Sequence, residues 1–487
     1  MVDATSQDNE VVSGTAGPVR DFTLRSAFAL AFSDVSPIVG IYSVFGLGLA
    51  IAGPAFWWAF PIVLIGQLMV TGVFGDLVSK WPFSGSVYQW SRELLGPRYG
   101  WFTSWAYSWG FVITIAVVAL AAAGFLAPAL GLNDLSQFQT DLLAAAILAF
   151  GTMANMIGSK FLKGLLYISL TCELLASLGI GFAMFAHRQH PFSIVFDTMG
   201  TGGSGSWVLG PFLAVVAYTG FSFVGFESAG SIAEEVREAR HVLPKAIVLS
   251  LVAAGALVMF AALALVLAIP NLDDVLSGKD TNPIVTTLET HLGAIWGRIF
   301  LLFLAIGFIA SMIAVQAAVS RAIWASARAR EIPFSRQLSK LSGSERLPRV
   351  VLAFTAITAI VLMFILASPK AFTILLSAST AGIFLSYLLP VVAAAVVRAR
   401  GGWQPGPVAM GKWGTAVTYL AAIWITLETV NIAWPRDSYG GDQFLNWSIV
   451  IAIVVLGLAG LVISTIMLKR AGETADNMFE PTVSAEE

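Results

Sequence analysis

Ser33-Asp34-Val35-Ser36-Pro37-Ile38-Val39-Gly40-Ile41-Tyr42-Ser43 puts a carboxylate, a proline and a glycine in the middle of the first long apolar run of the chain. The run has the length of a membrane-crossing helix, which needs roughly 20 mostly apolar residues. Pro37 removes one backbone hydrogen bond and biases Ser36 away from helical dihedrals, so the helix is predicted to break there. A second interrupted stretch, Gly220-Phe221-Ser222-Phe223-Val224-Gly225-Phe226-Glu227-Ser228-Ala229-Gly230, lies in the sixth apolar run, where glycines tolerate unwound dihedrals. Within a bilayer, freed amide and carbonyl groups are acceptable only where they line a cavity or hold something. Helix N-termini at such a place attract an anionic group. Two interrupted segments at corresponding positions of two halves therefore mark a binding site near the membrane midplane.

The rest of the chain fits that frame. Of its 487 residues, 57% are apolar and 11% charged, and mean hydropathy is +0.81. Soluble domains carry about 25% charged residues, so the composition reads as an all-α polytopic membrane protein. The formal net charge of −2 leaves no basic excess to neutralise phosphates, which excludes nucleic acid as the main partner. Cys172 is the single cysteine, so no intrachain disulfide and no cysteine-cluster metal site exist. Residues 1–20 lack the apolar core of a signal peptide and read as a disordered tail.

About twelve helices are predicted, near 23–50, 54–78, 99–130, 141–158, 160–186 and 208–233, then 243–270, 291–326, 349–367, 369–397, 412–434 and 446–469. Sorting lysines and arginines between alternate connections leaves only Arg188, Lys279, Arg298, Lys370 and Arg436 on one side. Positive charge gathers in cytoplasmic connections, so both termini are placed in the cytoplasm of a multi-pass protein of the cytoplasmic (plasma) membrane. The first and sixth spans open two five-helix halves, residues 23–186 and 208–397, within a core over 21–397. Two peripheral helices follow over 398–470, then a cytoplasmic tail over 471–487.

The same bookkeeping leaves no basic residue deep in the membrane, whereas Asp34, Glu173, Glu227 and Glu428 fall inside apolar runs. Asp34 and Glu173 lie nine and ten residues past Arg25 and Lys163, about 14–15 Å into a hydrocarbon core roughly 30 Å thick. A carboxylate there must be protonated, meet a cation in a cavity, or hydrogen-bond a neighbouring helix.

Several stretches are similar to the amino acid-polyamine-organocation transporters, and among them to the amino acid/choline transporter family. They are Phe221 to Gly230 with Ser231-Ile232-Ala233-Glu234-Glu235-Val236 and Pro244-Lys245-Ala246-Ile247, then Phe74-Gly75-Asp76 through Trp90, then Ser320-Arg321 through Ser335, and helix one itself. The resemblance covers residues 23–397. It implies a five-plus-five inverted-repeat core, with helices eleven and twelve outside it. It also implies a secondary transporter that moves an amino acid or related amine by alternating access.

Residue by residue, the resemblance puts substrate carboxylate binding on the amides of Ile38, Val39, Gly40 and Ile41, with Ser36 in the same break. It makes Phe221 the covering aromatic, with Ser222, Gly225 and Phe226 lining the site, and Glu227 a coupling or gating group. Departures are informative. Val39 stands where many relatives carry a small or hydroxyl residue, and Glu173 stands where several proton-coupled members carry a lysine. Ser311 in helix eight has no adjacent hydroxyl, which points away from sodium. Proton coupling or exchange through Asp34, Glu173 or Glu227 is the expectation, and the base-free carboxylates also suit choline, ethanolamine or a polyamine.

Other classes fit less well. No cofactor or metal site is expected. His187 and His190 are three apart with no third ligand in view, and the loop Gly200-Thr201-Gly202-Gly203-Ser204-Gly205 lacks the lysine of a phosphate loop. An enzyme would need a nucleophile with its base, and the histidines all lie at or beyond span ends. A channel would not need gating aromatics, and a transporter-like sensor would carry a signalling domain.

Overall fold

The computed structural model describes residues 20, 22–132, 134–342, 347–365, 370–436 and 443–478. The tail expected over 1–20 lies outside these residues apart from Arg20, as do Arg346, the side chains of Lys160, Lys163, Lys469 and Arg470, and residues 479–487. The architecture is all helical. Among the described residues, eleven helices are long and apolar enough to cross a membrane. A twelfth apolar helix, Arg349–Ile365, runs up to the edge of the described segment. The protein is a multi-pass membrane protein.

Helix one comprises Leu24–Val35 and Pro37–Tyr42 and is followed by the short helix Phe45–Ala52. Its start is fixed by a reciprocal cap in which the Thr23 amide donates to Ser26 Oγ at 2.8 Å. Helices two to five are Pro54–Lys80, Pro97–Ala129, Gln137–Ile157 and Ser159–Ala186. Helix six is broken into Leu213–Thr219, a tight turn Gly220–Phe223 and a short helix Ser228–Ser231. Helices seven and eight are Ala239–Ala268 and Pro283–Arg328, the latter kinked where Gly293 takes φ 73°. Helices nine to twelve are Arg349–Ile365, Ala371–Ala399, Gly414–Ala433 and Ser448–Met478.

Helix three is the central post, packed on helices eight and ten, while helix seven packs on helices two, one and five. Helices three and ten meet backbone to backbone: a Cβ on Gly382 would lie 2.6 Å from Gly110 Cα. One turn on, Thr114 and Ser379 share a hydrogen bond of 2.6 Å. Small residues that admit close approach, with a hydroxyl pair beside them, are how helices associate where no hydrophobic effect drives them together. Within their most apolar windows, helices one and three are 83% buried, against 33% and 17% for helices eleven and twelve. The last two helices thus lie at the periphery of the bundle, with most of their surface outside its packed interior.

Candidate functional site

Helix one breaks at Ser36, whose φ of 44° and ψ of 102° are not helical. Pro37 is the first residue of the next helical piece, where its missing N–H costs nothing. Ile38, Val39, Gly40 and Ile41 therefore lie in the helical turn after the break and not in an unwound stretch. Ser36 caps that turn: its Oγ accepts from the Val39 amide at 3.2 Å and its carbonyl from the Gly40 amide at 2.8 Å. In helix six the break is longer, with Val224 extended and Gly225 at φ 93°. The two breaks touch. Ser222 donates its hydroxyl to the Gly40 carbonyl at 2.5 Å, and a Cβ on Gly40 would stand 2.9 Å from the Ser222 carbonyl oxygen.

Between the breaks lies a small cavity of about 10 Å³. Asp34, Val39, Phe221 and Gly225 form its walls from helices one and six, Phe111 and Thr114 from helix three, and Ser311 from helix eight. Gly225 is required twice: its backbone is left-handed, and a Cβ would meet Asp34 Cγ at 2.9 Å. Asp34 is buried with Ser228 beside it, yet neither carboxylate oxygen receives a hydrogen bond of good geometry among the described residues. Glu227 is close enough to repel Asp34. It accepts a short hydrogen bond from the Tyr387 hydroxyl, which in turn accepts from the Gly225 amide at 2.8 Å. Tyr107 also stands beside it. Glu173 is fully buried behind the first break, accepting from Ser169 at 3.1 Å and lying beside Ser36.

Comparison with known proteins meets this geometry from a separate direction. The sequence pattern of a family described as amino acid permease matches residues 22–456. The chain belongs to the amino acid permease family. It is similar to an uncharacterised amino-acid permease of Schizosaccharomyces pombe, 25% identical over 90% of this chain and 82% of the relative. It is also similar to a choline transporter of Saccharomyces cerevisiae, 26% identical over 90% and 79%, and to a thiamine transporter of S. pombe, 22% identical over 76% and 70%. These relatives are carriers and not enzymes.

Within this permease, the residues singled out from sequence divide into two groups. Asp34, Val39, Phe221 and Gly225 face the cavity directly. The others stand behind it. Ile38 fills the space left by Gly307, where a Cβ would come within 2.3 Å. Ser222 is committed to Gly40, and Phe226 packs on Phe74 and Tyr387 with ring centroids 5.8 and 5.2 Å apart. Beyond the cavity, towards Tyr42, that ring packs on Phe125 at 6.1 Å and Phe125 on Phe308 at 5.3 Å. Glu428 belongs to a separate cluster on helix eleven, accepting from Asn431 at 3.2 Å.

Sequence reading missed Tyr107, Tyr387, Phe111 and Thr114. The available signal was a tyrosine in mid-helix, because a buried phenol needs a polar partner for its hydroxyl. It also counted Arg398 only among the basic residues of the cytoplasmic connections. The guanidinium is instead buried and paired with Asp76, and it lies 4.1 Å from the Trp403 ring, because residues 400–413 fold back over the end of helix two. Other acids on this face are paired as well. Glu235 meets Arg321 at 3.1 Å, Glu234 meets Arg328 at 3.6 Å, and Glu331 meets Arg92 at 3.3 Å and Tyr88 at 2.7 Å.

Proposed function

We propose that this protein is a secondary active transporter that carries a small amino acid or related amine by alternating access, with proton coupling or exchange. The supporting observation is Asp34: a buried carboxylate that meets no cation among the described residues, on the wall of a small cavity between two helix breaks. Ionised groups at that depth need a counter-charge, and a substrate ammonium or a proton supplies it. At about 10 Å³ the cavity has room for about one water in this conformation, so a substrate enters only when the two breaks move apart, as alternating access requires. The amino acid, choline and thiamine of the relatives' names all carry a cationic nitrogen. Glu227, held by Tyr387 beside Asp34, and Glu173, behind the first break, are the groups assigned to coupling. Two five-helix halves, residues 23–186 and 208–397, with both termini in the cytoplasm of the plasma membrane, complete the reading.

One observation favours the decarboxylated amines over α-amino acids. The Val39 and Gly40 amides, which would hold a carboxylate, already bond Ser36. These two amides are thus committed within the chain.

The test is a thermal-shift panel of α-amino acids, γ-aminobutyrate, choline, ethanolamine and polyamines on the detergent-purified protein. Uptake of the responding compound into proteoliposomes under an inside-alkaline pH gradient follows. A ligand at 100 times its dissociation constant stabilises by about 2.7 kcal/mol. One amine-bearing class should stabilise the protein, Asp34→Asn should remove that shift, and the gradient should drive uptake without sodium. Stabilisation by carboxylates lacking an amine, with Asp34→Asn unaffected, would refute the reading.

A further inference from the structure

The connection leaving helix eight and the last membrane turns of helix twelve line an open groove of about 950 Å³. Arg328, Arg330 and Arg336 line one side, and Ile463, Ile466 and Met467 line the other. No acid lines it. Arg328 is partly engaged, 4.6 Å from the Trp324 ring and 3.6 Å from Glu234. Arg330 and Arg336 are exposed and meet no carboxylate among the described residues.

The segment carrying them is firmly held. Glu331 is buried under Tyr88 and Arg92, and its carbonyl accepts from Trp101 Nε1 at 2.7 Å. Trp324 Nε1 donates to the Ser339 carbonyl at 3.0 Å. Around this anchor both Arg330 and Phe334 take a left-handed φ of 58°, a conformation that costs free energy for bulky residues. Phe334 is nevertheless 74% exposed, so no core contact offsets that strain. The apolar run of helix twelve ends at Leu468 and is followed by Lys469 and Arg470, which sets the groove at the boundary between hydrocarbon and headgroups.

We propose that this groove binds an anionic phospholipid. The phosphate sits among Arg328, Arg330 and Arg336, and an acyl chain runs along Ile463, Ile466 and Met467 with Phe334 against it. Basic pockets at the cytoplasmic ends of membrane helices hold anionic headgroups, and planar guanidinium groups suit phosphate oxygens. Charge segregation across the membrane accounts for the arginines alone. It does not account for a strained, exposed phenylalanine facing an apolar wall. The inference rests on the proposed orientation and is independent of which substrate is carried.

The test is titration of the full chain in mild detergent with dioleoyl-phosphatidylglycerol, dioleoyl-phosphatidylcholine or glycerol 3-phosphate, read by native mass spectrometry and melting temperature. Phosphatidylglycerol should bind and phosphatidylcholine should not. Arg330→Gln with Arg336→Gln should weaken binding about 30-fold, the equivalent of about 2 kcal/mol. Phe334→Ala should weaken lipid binding with the arginines intact, and Arg240→Gln with Lys245→Gln should leave it unchanged. Binding that survives the double arginine change, equal binding of phosphatidylcholine, or glycerol 3-phosphate binding as tightly as the lipid would overturn the proposal. The lipid-free melting temperature of each variant verifies its fold. Because lipid is read directly, a failed substrate panel leaves this result standing, and the reverse holds as well.

Discussion

Acids are buried in two regions of this molecule under opposite conditions. Around the cavity, Asp34, Glu173 and Glu227 have hydroxyls and amides for company and no base among the described residues. At the face where the chain enters, Asp76, Glu235, Glu234 and Glu331 each meet an arginine. The first group leaves a charge balance to be completed from outside the chain. The second completes it internally and ties connections to helix ends. A buried carboxylate thus says little about function until its partners are known.

The sharpest way to break this comparison is Asp76→Ala, which strands Arg398 in a buried place. Loss of one partner of a buried pair costs about 3–5 kcal/mol, and denaturation in detergent should show it. Asp76→Leu with Arg398→Met should recover most of the loss. Asp34→Asn should behave in the opposite way. Uptake should fall on the order of 100-fold, as when a desolvated ion pair with a ligand is lost, while the melting temperature should hold or rise because no protein partner is lost. A fall in stability as large as that of Asp76→Ala would mean that the two regions do not differ.

A smaller effect concerns Glu331, outside the spans. Burial pushes its carboxyl above the ordinary value near 4.5, against the opposing pull of the Tyr88 hydroxyl and Arg92. The folded state therefore holds the proton more tightly than the unfolded state. Its contribution is fully present below the ordinary value and is lost as pH rises through the raised one. Glu331→Gln should flatten that part of the stability profile measured by thermal melts between acid and neutral pH. Smallest of all, Arg328→Gln should change stability by about 0–1 kcal/mol, since the arginine is 48% exposed. A larger loss in a melt would show this exposed pair to be coupled to its neighbours.

Much of this was readable in advance because membrane helices announce themselves. Twelve apolar runs, the proline after Ser36 and the glycines of 220–230 act locally, through length and dihedral preference. The base-free character of Asp34 followed from arithmetic on lysines and arginines. The position of the first break was legible only in part: a proline at the start of a helical turn fixes the discontinuity on the residue before it. Ile38 to Ile41 therefore stay helical. That Tyr387 would bond Glu227 was illegible because this hydrogen bond between helices ten and six spans 160 residues of chain, and no local pattern encodes it.

The sequence by itself determined that the chain crosses a membrane many times, where its two helices break, and that its mid-membrane acids lack nearby bases. These are properties of short windows, set by hydrophobic length and backbone chemistry. Only the tertiary structure decided that Asp34 faces a cavity against Gly225, that Tyr387 holds Glu227, and that Arg398 turns inward to Asp76. Each of those depends on which distant helices lie side by side, and that is fixed by packing across the whole bundle.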